Sequence, residues 1–268
     1  MFIRRDNSAK VCFSCHTLVS ANAKVCHKCQ QVNPTLWGYE KSLRRRGPDF
    51  GFVQFVIKAC AVVYVLTLLI DMEGISHGNG QDLLSPSPFS TLILGSSGAH
   101  PMFTVGRWWT VFTAGWLHGG FIHIVFNLFW IYHLGPWVAK LYGAGRLVII
   151  YVASTVTGAA LTSAVAQYLP NLPDPWQGAH LTVGASGAVL GLLGAMVSHG
   201  QRTRNSDLTY RAGIYSFLLI LIGFFSVRGI DNWGHIGGFL GGYLLTQFPG
   251  FNSCQPQRLW GALHKAGR

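Results

Sequence analysis

Ser186 and His235 are the two residues of this chain whose chemistry and placement suggest catalysis. Each lies at the start of an apolar, glycine-containing stretch, and 49 residues separate them. A serine hydroxyl in such a stretch serves either as a hydrogen-bonding group between helices or as a buried nucleophile. An imidazole at matching depth would remove the serine proton near neutral pH. The pair therefore predicts a catalytic site if the two stretches lie side by side.

Two further polar residues, His123 and Asn127, lie four positions apart in another apolar stretch. On a helix, that spacing puts both side chains on one face. Either residue alone would be interpreted as a hydrogen-bonding group between helices. As a pair at the depth of Ser186, they favour a role as donors to an oxyanion.

A different chemistry is indicated near the N-terminus. Cys12-x2-Cys15 and Cys26-x2-Cys29, with ten residues between the pairs, have the spacing of a four-thiolate zinc site. Two disulfides are the weaker alternative, because cytoplasmic thiols stay reduced. So short a segment has almost no core and would fold only with its metal bound. Partner docking, regulation and simple stability are all compatible with this unit.

Membrane-spanning helices must position Ser186 and His235. Half of the 268 residues are hydrophobic and only 11% are charged, whereas about 25% of a soluble domain is charged. A spanning helix needs about 20 mostly apolar residues, and six windows fit. They are Phe52–Ile70, Thr113–Trp137, Arg146–Leu169, Thr182–His199, Ala212–Val227 and Trp233–Phe248. The sequence therefore predicts an all-α polytopic membrane protein.

The net charge of +11 could indicate nucleic-acid binding, but the distribution of the charges indicates topology instead. With six spans, 17 of the 20 Lys and Arg residues fall on the side that carries both termini. The positive-inside rule places that side in the cytoplasm. The first 50 residues are polar and basic, so the first span is expected to be an uncleaved signal anchor. We expect a protein of a bacterial inner membrane rather than a partner of nucleic acid.

This topology puts the candidate side chains at one depth. Spans two, four and six all run from outside to inside, and the candidates lie near the outer start of each. Ionisable groups within spans are costly and mark functional positions. Small residues at four-residue spacing, Gly187 with Gly191 and Gly238 with Gly242, would let these helices approach closely. Such glycines are common in membrane bundles and do not by themselves indicate catalysis.

Three motifs occur in order along the predicted spans: His118-x4-His123-x3-Asn127, Gly184-Ala185-Ser186-Gly187 and His235-x2-Gly238-x3-Gly242. Together they resemble the rhomboid family of intramembrane serine proteases, over about residues 52–248. The resemblance implies a six-helix bundle with a water-accessible cavity below the outer surface. In that cavity a Ser–His dyad would cleave transmembrane segments of other proteins without a cofactor.

Carried over by position, the resemblance gives each motif a role. Ser186 would be the nucleophile and His235 the general base. His123, Asn127 and the backbone N–H of Ser186 would form the oxyanion hole, while His118 would support the first loop and the cavity. The other supporting positions are Gly184, Gly187, Gly238 and Gly242.

Several positions depart from the family's pattern without removing a catalytic group. Thr110 stands where an arginine is common, Ala139 where an acidic residue is frequent, and Gly234 where an alanine usually precedes the histidine. Loop packing and the level of activity are therefore open. Asp231 is interpreted as a helix cap and not as a third member of the catalytic group.

Two other functions are compatible with parts of the pattern. A metal or ion transporter could line its path with His118, His123, His133 and His235, but it would not need Ser186 there. A non-proteolytic relative could bind transmembrane clients, although such proteins usually lack the serine or the histidine. The preferred interpretation is a serine endopeptidase whose partners are transmembrane substrates and the bilayer.

The chain is expected to have three parts. Residues 1–50 would form a cytoplasmic zinc-ribbon-like unit with a basic linker, and they could bind a cytoplasmic partner. Residues 51–248 would form the rhomboid-like membrane domain, and residues 249–268 a cytoplasmic tail.

Overall fold

Helices make up most of the structure. A computed structural model describes residues 9–12, 15, 17–20, 23–35, 45–78, 83–225 and 230–251. The helices within these ranges are α1 Phe52–Ile70, α2 Pro88–Ile93, α3 Thr110–Thr113, α4 Phe121–Tyr142, α5 Ala144–Tyr168, α6 Ser186–Arg202, α7 Ser206–Phe225 and α8 Asn232–Leu245.

Parts of three predictions fall outside the described residues. They are residues 1–8, 13–14, 16, 21–22 and 36–44 of the N-terminal unit, residues 79–82 and 226–229 of the membrane domain, and residues 252–268 of the tail.

Two small hairpins accompany the helices. In the first, β1 Ala9–Val11 pairs antiparallel with β2 Leu18–Ser20. In the second, β3 Ser76–His77 pairs antiparallel with β4 Leu83–Ser85 in the segment that follows α1. The first hairpin belongs to the cysteine-containing unit and the second to the connection between α1 and α2.

In the part of the chain that the structure describes, four helices, α1, α4, α5 and α7, are long and apolar enough to cross a membrane. Large apolar side chains such as Leu69, Phe129 and Phe217 are exposed on them, as expected for surfaces that contact lipid. The chain is therefore a multi-pass membrane protein with a helical bundle. With 17 and 14 residues, α6 and α8 are shorter than the roughly 20 residues that a span needs. Six spans thus stay a prediction.

Two predicted spans begin later than expected. The second was expected to start at Thr113, but α4 starts at Phe121, after two short helical turns and an extended link. The fourth was expected to start at Thr182, but that residue pairs with Ser97 as an isolated β-bridge, and α6 starts at Ser186. Hydropathy includes these residues because they are apolar or small, but it does not detect the pairing.

The central helix of the bundle is α6. It packs most extensively against α8, and also against α5 and α7. All of its residues from Ala188 to Gly200 are buried. A helix surrounded by other helices need not present a long apolar face to lipid, and this explains why α6 is less hydrophobic than its neighbours.

Glycines bring α6 and α8 into backbone contact. A Cβ atom at Gly238 would overlap the backbone of Gly187, and a Cβ atom at Gly242 would overlap the backbone of Gly191. Any side chain at either position would push the helices apart. The close approach that the glycine spacing predicts is therefore present, and it places the first turns of α6 and α8 side by side.

Candidate active site and metal centre

Ser186 is the first residue of α6, and two other segments of the chain hold the residues just before it. Thr182 exchanges two backbone hydrogen bonds with Ser97, at 3.0 and 2.8 Å, and the N–H of Gly184 donates to the carbonyl of Ala114 at 3.0 Å. Gly184 has φ of +131°, a conformation that favours glycine. The nucleophile predicted from sequence is therefore held by loops from elsewhere in the chain.

Ser186 lines a small pocket together with residues at the starts of α6 and α8, the helices that carry Ser186 and His235. The pocket wall includes Gly184, Ser186, Gly187, Asp231 and Gly234. Because Ser186 lies in the first turn of α6, free backbone N–H groups and the positive end of the helix dipole also face this region. The setting favours negative charge next to the serine.

His235 lies on α8 beside the start of α6. The residue is 9% exposed, and its buried Nδ1 has no hydrogen-bond partner among the described residues. A Cβ atom at Gly187 would lie 3.5 Å from the carbonyl oxygen of Gly234, so the turn that carries His235 contacts the turn that carries Ser186. Within the described residues, no hydrogen bond joins the two side chains. Such bonds are often loose in substrate-free enzymes and tighten when substrate binds.

The ring of His123 reaches the same place from α4. Its Nδ1 accepts the backbone N–H of Gly119 at 3.3 Å, so the neutral ring carries its proton on Nε2. A Cβ atom at Gly184 would lie 2.8 Å from that Nε2 and 3.7 Å from Oγ of Ser186. The structure thus brings the protonated edge of His123 close to the predicted nucleophile.

Asn127 and His118 lie behind this edge. Asn127 is 2% exposed, and its Nδ2 donates to the backbone carbonyl of His123 at 3.0 Å. One N–H of its amide is therefore used within α4, and the other stays available. His118 is fully buried and packs edge-to-face on His123, with ring centroids 5.3 Å apart.

Asp231 caps α8, as the sequence predicts, because its Oδ1 accepts the backbone N–H of Gly234 at 2.8 Å. Sequence reasoning missed a second contact, in which Oγ1 of Thr182 donates to Oδ2 of Asp231 at 2.7 Å. In the sequence, Thr182 lies four residues before Ser186, and Asp231 lies four residues before His235. This equal spacing was the one feature that could have indicated the contact.

The three departures from the family pattern fit their surroundings. Buried Thr110 donates to the carbonyl of Arg107 at 2.8 Å, and Ala139 is buried in the main core. A Cβ atom at Gly234 would lie 2.6 Å from Oδ2 of Asp231, so glycine leaves room for that carboxylate.

A second site is formed by Cys12, Cys15, Cys26 and Cys29, whose sulfur atoms all lie within 4.8 Å of one another. The Sγ atoms of Cys12 and Cys29 are 3.7 Å apart, and those of Cys15 and Cys26 are 3.6 Å apart. Four thiolates at about 2.3 Å from a tetrahedral zinc ion would be separated by about 3.8 Å. The cluster could therefore bind a metal ion.

The cysteines of this cluster are free thiols, which is not the arrangement of the two-disulfide alternative. Burial acts to raise the pKa of the Cys15 thiol, but hydrogen bonding with Thr17 and the neighbouring thiols outweighs it and lowers the pKa to about 7. Burial and the neighbouring thiols instead raise the pKa of Cys29, so Cys15 is deprotonated more readily than Cys29, and metal binding requires thiolates. His16 and His27 adjoin the cysteine pairs in the sequence and could in principle replace a cysteine as ligand. The described His27 is not part of the cluster, and His16 lies outside the described residues.

Known proteins resemble this chain over its membrane domain. The Rhomboid domain family matches residues 105–249. The Rhomboid protease GluP of Bacillus subtilis is 34% identical over 155 residues, which are 57% of this chain and 28% of that protein. The Rhomboid protease GlpG of Klebsiella pneumoniae is 35% identical over 142 residues, which are 52% of this chain and 47% of that protein.

A plant relative gives a similar match. RHOMBOID-like protein 6, mitochondrial, of Arabidopsis thaliana is 34% identical over 156 residues, which are 57% of this chain and 46% of that protein. The chain spans less than half the length of each of these three relatives. The family match begins at residue 105, so the cysteine cluster and α1 lie outside it.

Proposed function

The chain belongs to the rhomboid family, and we propose that it is an intramembrane serine endopeptidase that cleaves transmembrane segments of other membrane proteins. The observation that carries the proposal is the meeting of two helix starts at one pocket. Ser186 and Gly187 from α6 and Asp231 and Gly234 from α8 line it, and His235 follows directly on α8.

In this proposal Ser186 is the nucleophile and His235 the general base. The hydroxyl proton passes to His235 while Oγ bonds to the substrate carbonyl carbon, whose π electrons move to its oxygen. Collapse of that intermediate breaks the C–N bond, and His235 gives its proton to the leaving amine. A water molecule then repeats the sequence on the acyl-enzyme and releases the acid. No cofactor takes part.

His123, Asn127 and the backbone N–H of Ser186 are proposed to stabilise the oxyanion. The Nε2–H of His123 is supported as a donor by the bond that Nδ1 accepts from Gly119. Preformed donors in a site that excludes water can each lower the barrier by about 3 to 4 kcal/mol. His118 supports this edge through its packing on His123.

The proposed substrate is a helix with a small side chain before the cut and a locally unstable backbone. The pocket beside Ser186 is small even though glycines such as Gly115, Gly158 and Gly184 line much of it, so it has little room for a bulky side chain. Carbonyl groups inside a stable helix are occupied by hydrogen bonds, so the helix must unwind before the nucleophile can reach one.

We further propose six spans, both termini in the cytoplasm, and a site in the outer part of a bacterial inner membrane. The distribution of Lys and Arg supports this topology. The three-part division at residues 50 and 248 belongs to the same proposal. So does a zinc ion bound by Cys12, Cys15, Cys26 and Cys29, for which the four-thiol donor set and sulfur spacing are suited.

The test is cleavage of a fluorogenic transmembrane substrate by purified protein in liposomes, beside Ser186→Ala and His235→Ala. Loss of cleavage in both variants, with correctly folded protein, supports the proposal. Cleavage that survives Ser186→Ala contradicts it. Metal or proton flux without cleavage would favour the transporter, and substrate binding without cleavage would favour a client-binding relative.

A further inference from the structure

One carboxylate, that of Asp231, links the segments that carry Ser186 and His235. Its Oδ1 accepts the backbone N–H of Gly234 at 2.8 Å, and its Oδ2 accepts the hydroxyl of Thr182 at 2.7 Å. Gly234 directly precedes the histidine, and Thr182 lies four residues before the serine. A single side chain therefore bridges both halves of the proposed dyad.

Capping of α8 does not require the hydrogen bond between Asp231 and Thr182. An N-cap carboxylate needs only one oxygen to accept an N–H of the first turn, and Gly234 already supplies that bond. The start of α6, by contrast, has no side-chain cap, since Ala185 occupies the N-cap position. The backbone of Thr182 is itself held by Ser97, so its hydroxyl ties Asp231 to a fixed segment.

The glycine at position 234 is matched to this carboxylate. A Cβ atom there would lie 2.6 Å from Oδ2 of Asp231, the same oxygen that Thr182 bonds. An alanine would therefore displace the carboxylate and lengthen the bridge. Gly234, which departs from the family pattern, thus leaves the space that the Thr182–Asp231 hydrogen bond needs.

We propose that Thr182 and Asp231 are positioning residues, whose hydrogen bond sets the separation of Ser186 and His235. The inference rests on the proposed function. Within the described residues Asp231 makes no hydrogen bond to Nδ1 of His235, and its bond to α8 is the one it accepts from the backbone N–H of Gly234. Hydrogen bonds to a carboxylate are short and strong, and misplacement of reacting groups by about 1 Å can cost about 100-fold in rate.

The test compares Thr182→Val, which removes the hydroxyl and keeps the branched shape, with Thr182→Ser, which keeps a hydroxyl. Asp231→Ser retains a capping oxygen but is too short to reach Thr182. The measurements are kcat and KM for a fluorogenic transmembrane substrate in liposomes, the rate at which a fluorophosphonate labels Ser186, and the thermal unfolding midpoint.

Thr182→Val should lower kcat and the labelling rate about 10- to 100-fold with KM within about twofold, because alignment changes and binding does not. Thr182→Ser should recover most of this loss. Asp231→Ser should resemble Thr182→Val, and the double variant should lose no more than either single one, since both remove the same bond. Asp207→Asn, which alters an exposed carboxylate paired with Arg211, is the matched control and should behave as wild type.

Three outcomes would overturn this inference but not the proposed function. They are a wild-type kcat in Thr182→Val, losses of kcat that multiply in the double variant, and losses that the amount of folded protein fully explains. Wild-type protein that neither cleaves nor reacts with the fluorophosphonate would overturn the proposed function and this inference together.

Discussion

The backbone N–H of Gly119 decides how His123 can act. By donating to Nδ1, it fixes the neutral tautomer whose proton is on Nε2. The ring then offers a donor near Ser186 without being charged. A charged ring so deep in the protein would be costly, so this bond lets a neutral side chain serve in an apolar setting.

Removal of this donor is expected to slow the reaction rather than to weaken substrate binding. His123→Ala should lower kcat about 100- to 1,000-fold with little change in KM, as for other oxyanion donors. The measurement is steady-state cleavage of a transmembrane substrate in liposomes. Asn127→Ala should have a smaller effect, because one N–H of its amide is already used within α4.

His133→Ala is the matched control for these variants. His133 lies on the same helix but is exposed, and it packs on Phe129 with ring centroids 4.4 Å apart. Its loss should leave cleavage unchanged. An equal loss of activity in His133→Ala and His123→Ala would argue against an oxyanion role and in favour of a path lined by histidines.

At this scale, residue type and spacing were enough to predict the candidates Ser186, His235, His123 and Asn127. The contacts that orient them could not be predicted in the same way. Thr182 and Asp231 meet across 49 residues, and Gly119 bonds a ring through its backbone. Neither kind of contact has a periodic signal, because each depends on how separate loops fold back on the bundle.

At the scale of the elements, the packing of α6 against α8 depends on glycines, because side chains would not fit where the two helices meet. The backbone of Gly191 occupies the space that a Cβ atom at Gly242 would need. In a membrane, where the hydrophobic effect between helices is weak, close packing supplies much of the association energy. The interface should therefore tolerate even one methyl group poorly.

Gly242→Ala is expected to destabilise the bundle by about 1 to 3 kcal/mol, the usual cost of overpacking. Gly213→Ala is the control, because nothing lies within 4 Å of a Cβ atom there. Alanine also favours helix over glycine by about 1 kcal/mol, so the control should be neutral or slightly stabilising. Thermal unfolding in detergent measures both. Equal midpoints for the two variants would contradict the close-packing argument.

Hydropathy predicted the element α1 with the bounds that the structure gives, Phe52–Ile70. It failed at the starts of α4 and α6. There, apolar residues and glycines form short turns and a β-bridge that hold the site, as Thr182 does with Ser97. Average hydropathy describes how well a segment suits lipid, and residues that line a pocket inside the bundle do not have to satisfy that requirement.

For the whole molecule, the arrangement of charge predicts a testable topology. His77 in the β3–β4 hairpin and Asp207 at the start of α7 are both exposed and should lie on opposite sides of the membrane. A membrane-impermeant maleimide should label His77→Cys in cells with an accessible inner membrane. Asp207→Cys should be labelled only after that membrane is permeabilised. The wild-type chain controls for its six natural cysteines, and the reverse pattern would contradict the topology.

The cysteine cluster and the membrane domain have separate hydrophobic cores, so loss of metal should affect them unequally. Purified protein should carry about one zinc ion per chain. Cys12→Ser with Cys15→Ser should abolish that zinc, and acidification should release it from the wild type, because protons compete for the thiolates. The variant's unfolding midpoint in detergent should stay near that of wild type, since the larger core is intact.

Cys60→Ser is the control for metal content, because Cys60 is buried in α1 within the other core. Its zinc should match that of the wild type. Unchanged zinc in the Cys12→Ser, Cys15→Ser variant would place the metal elsewhere. A large fall in that variant's unfolding midpoint would instead mean that the N-terminal unit braces the membrane bundle. Its cysteines would then serve stability, since a unit that only recruits partners could lose its metal without weakening the helices.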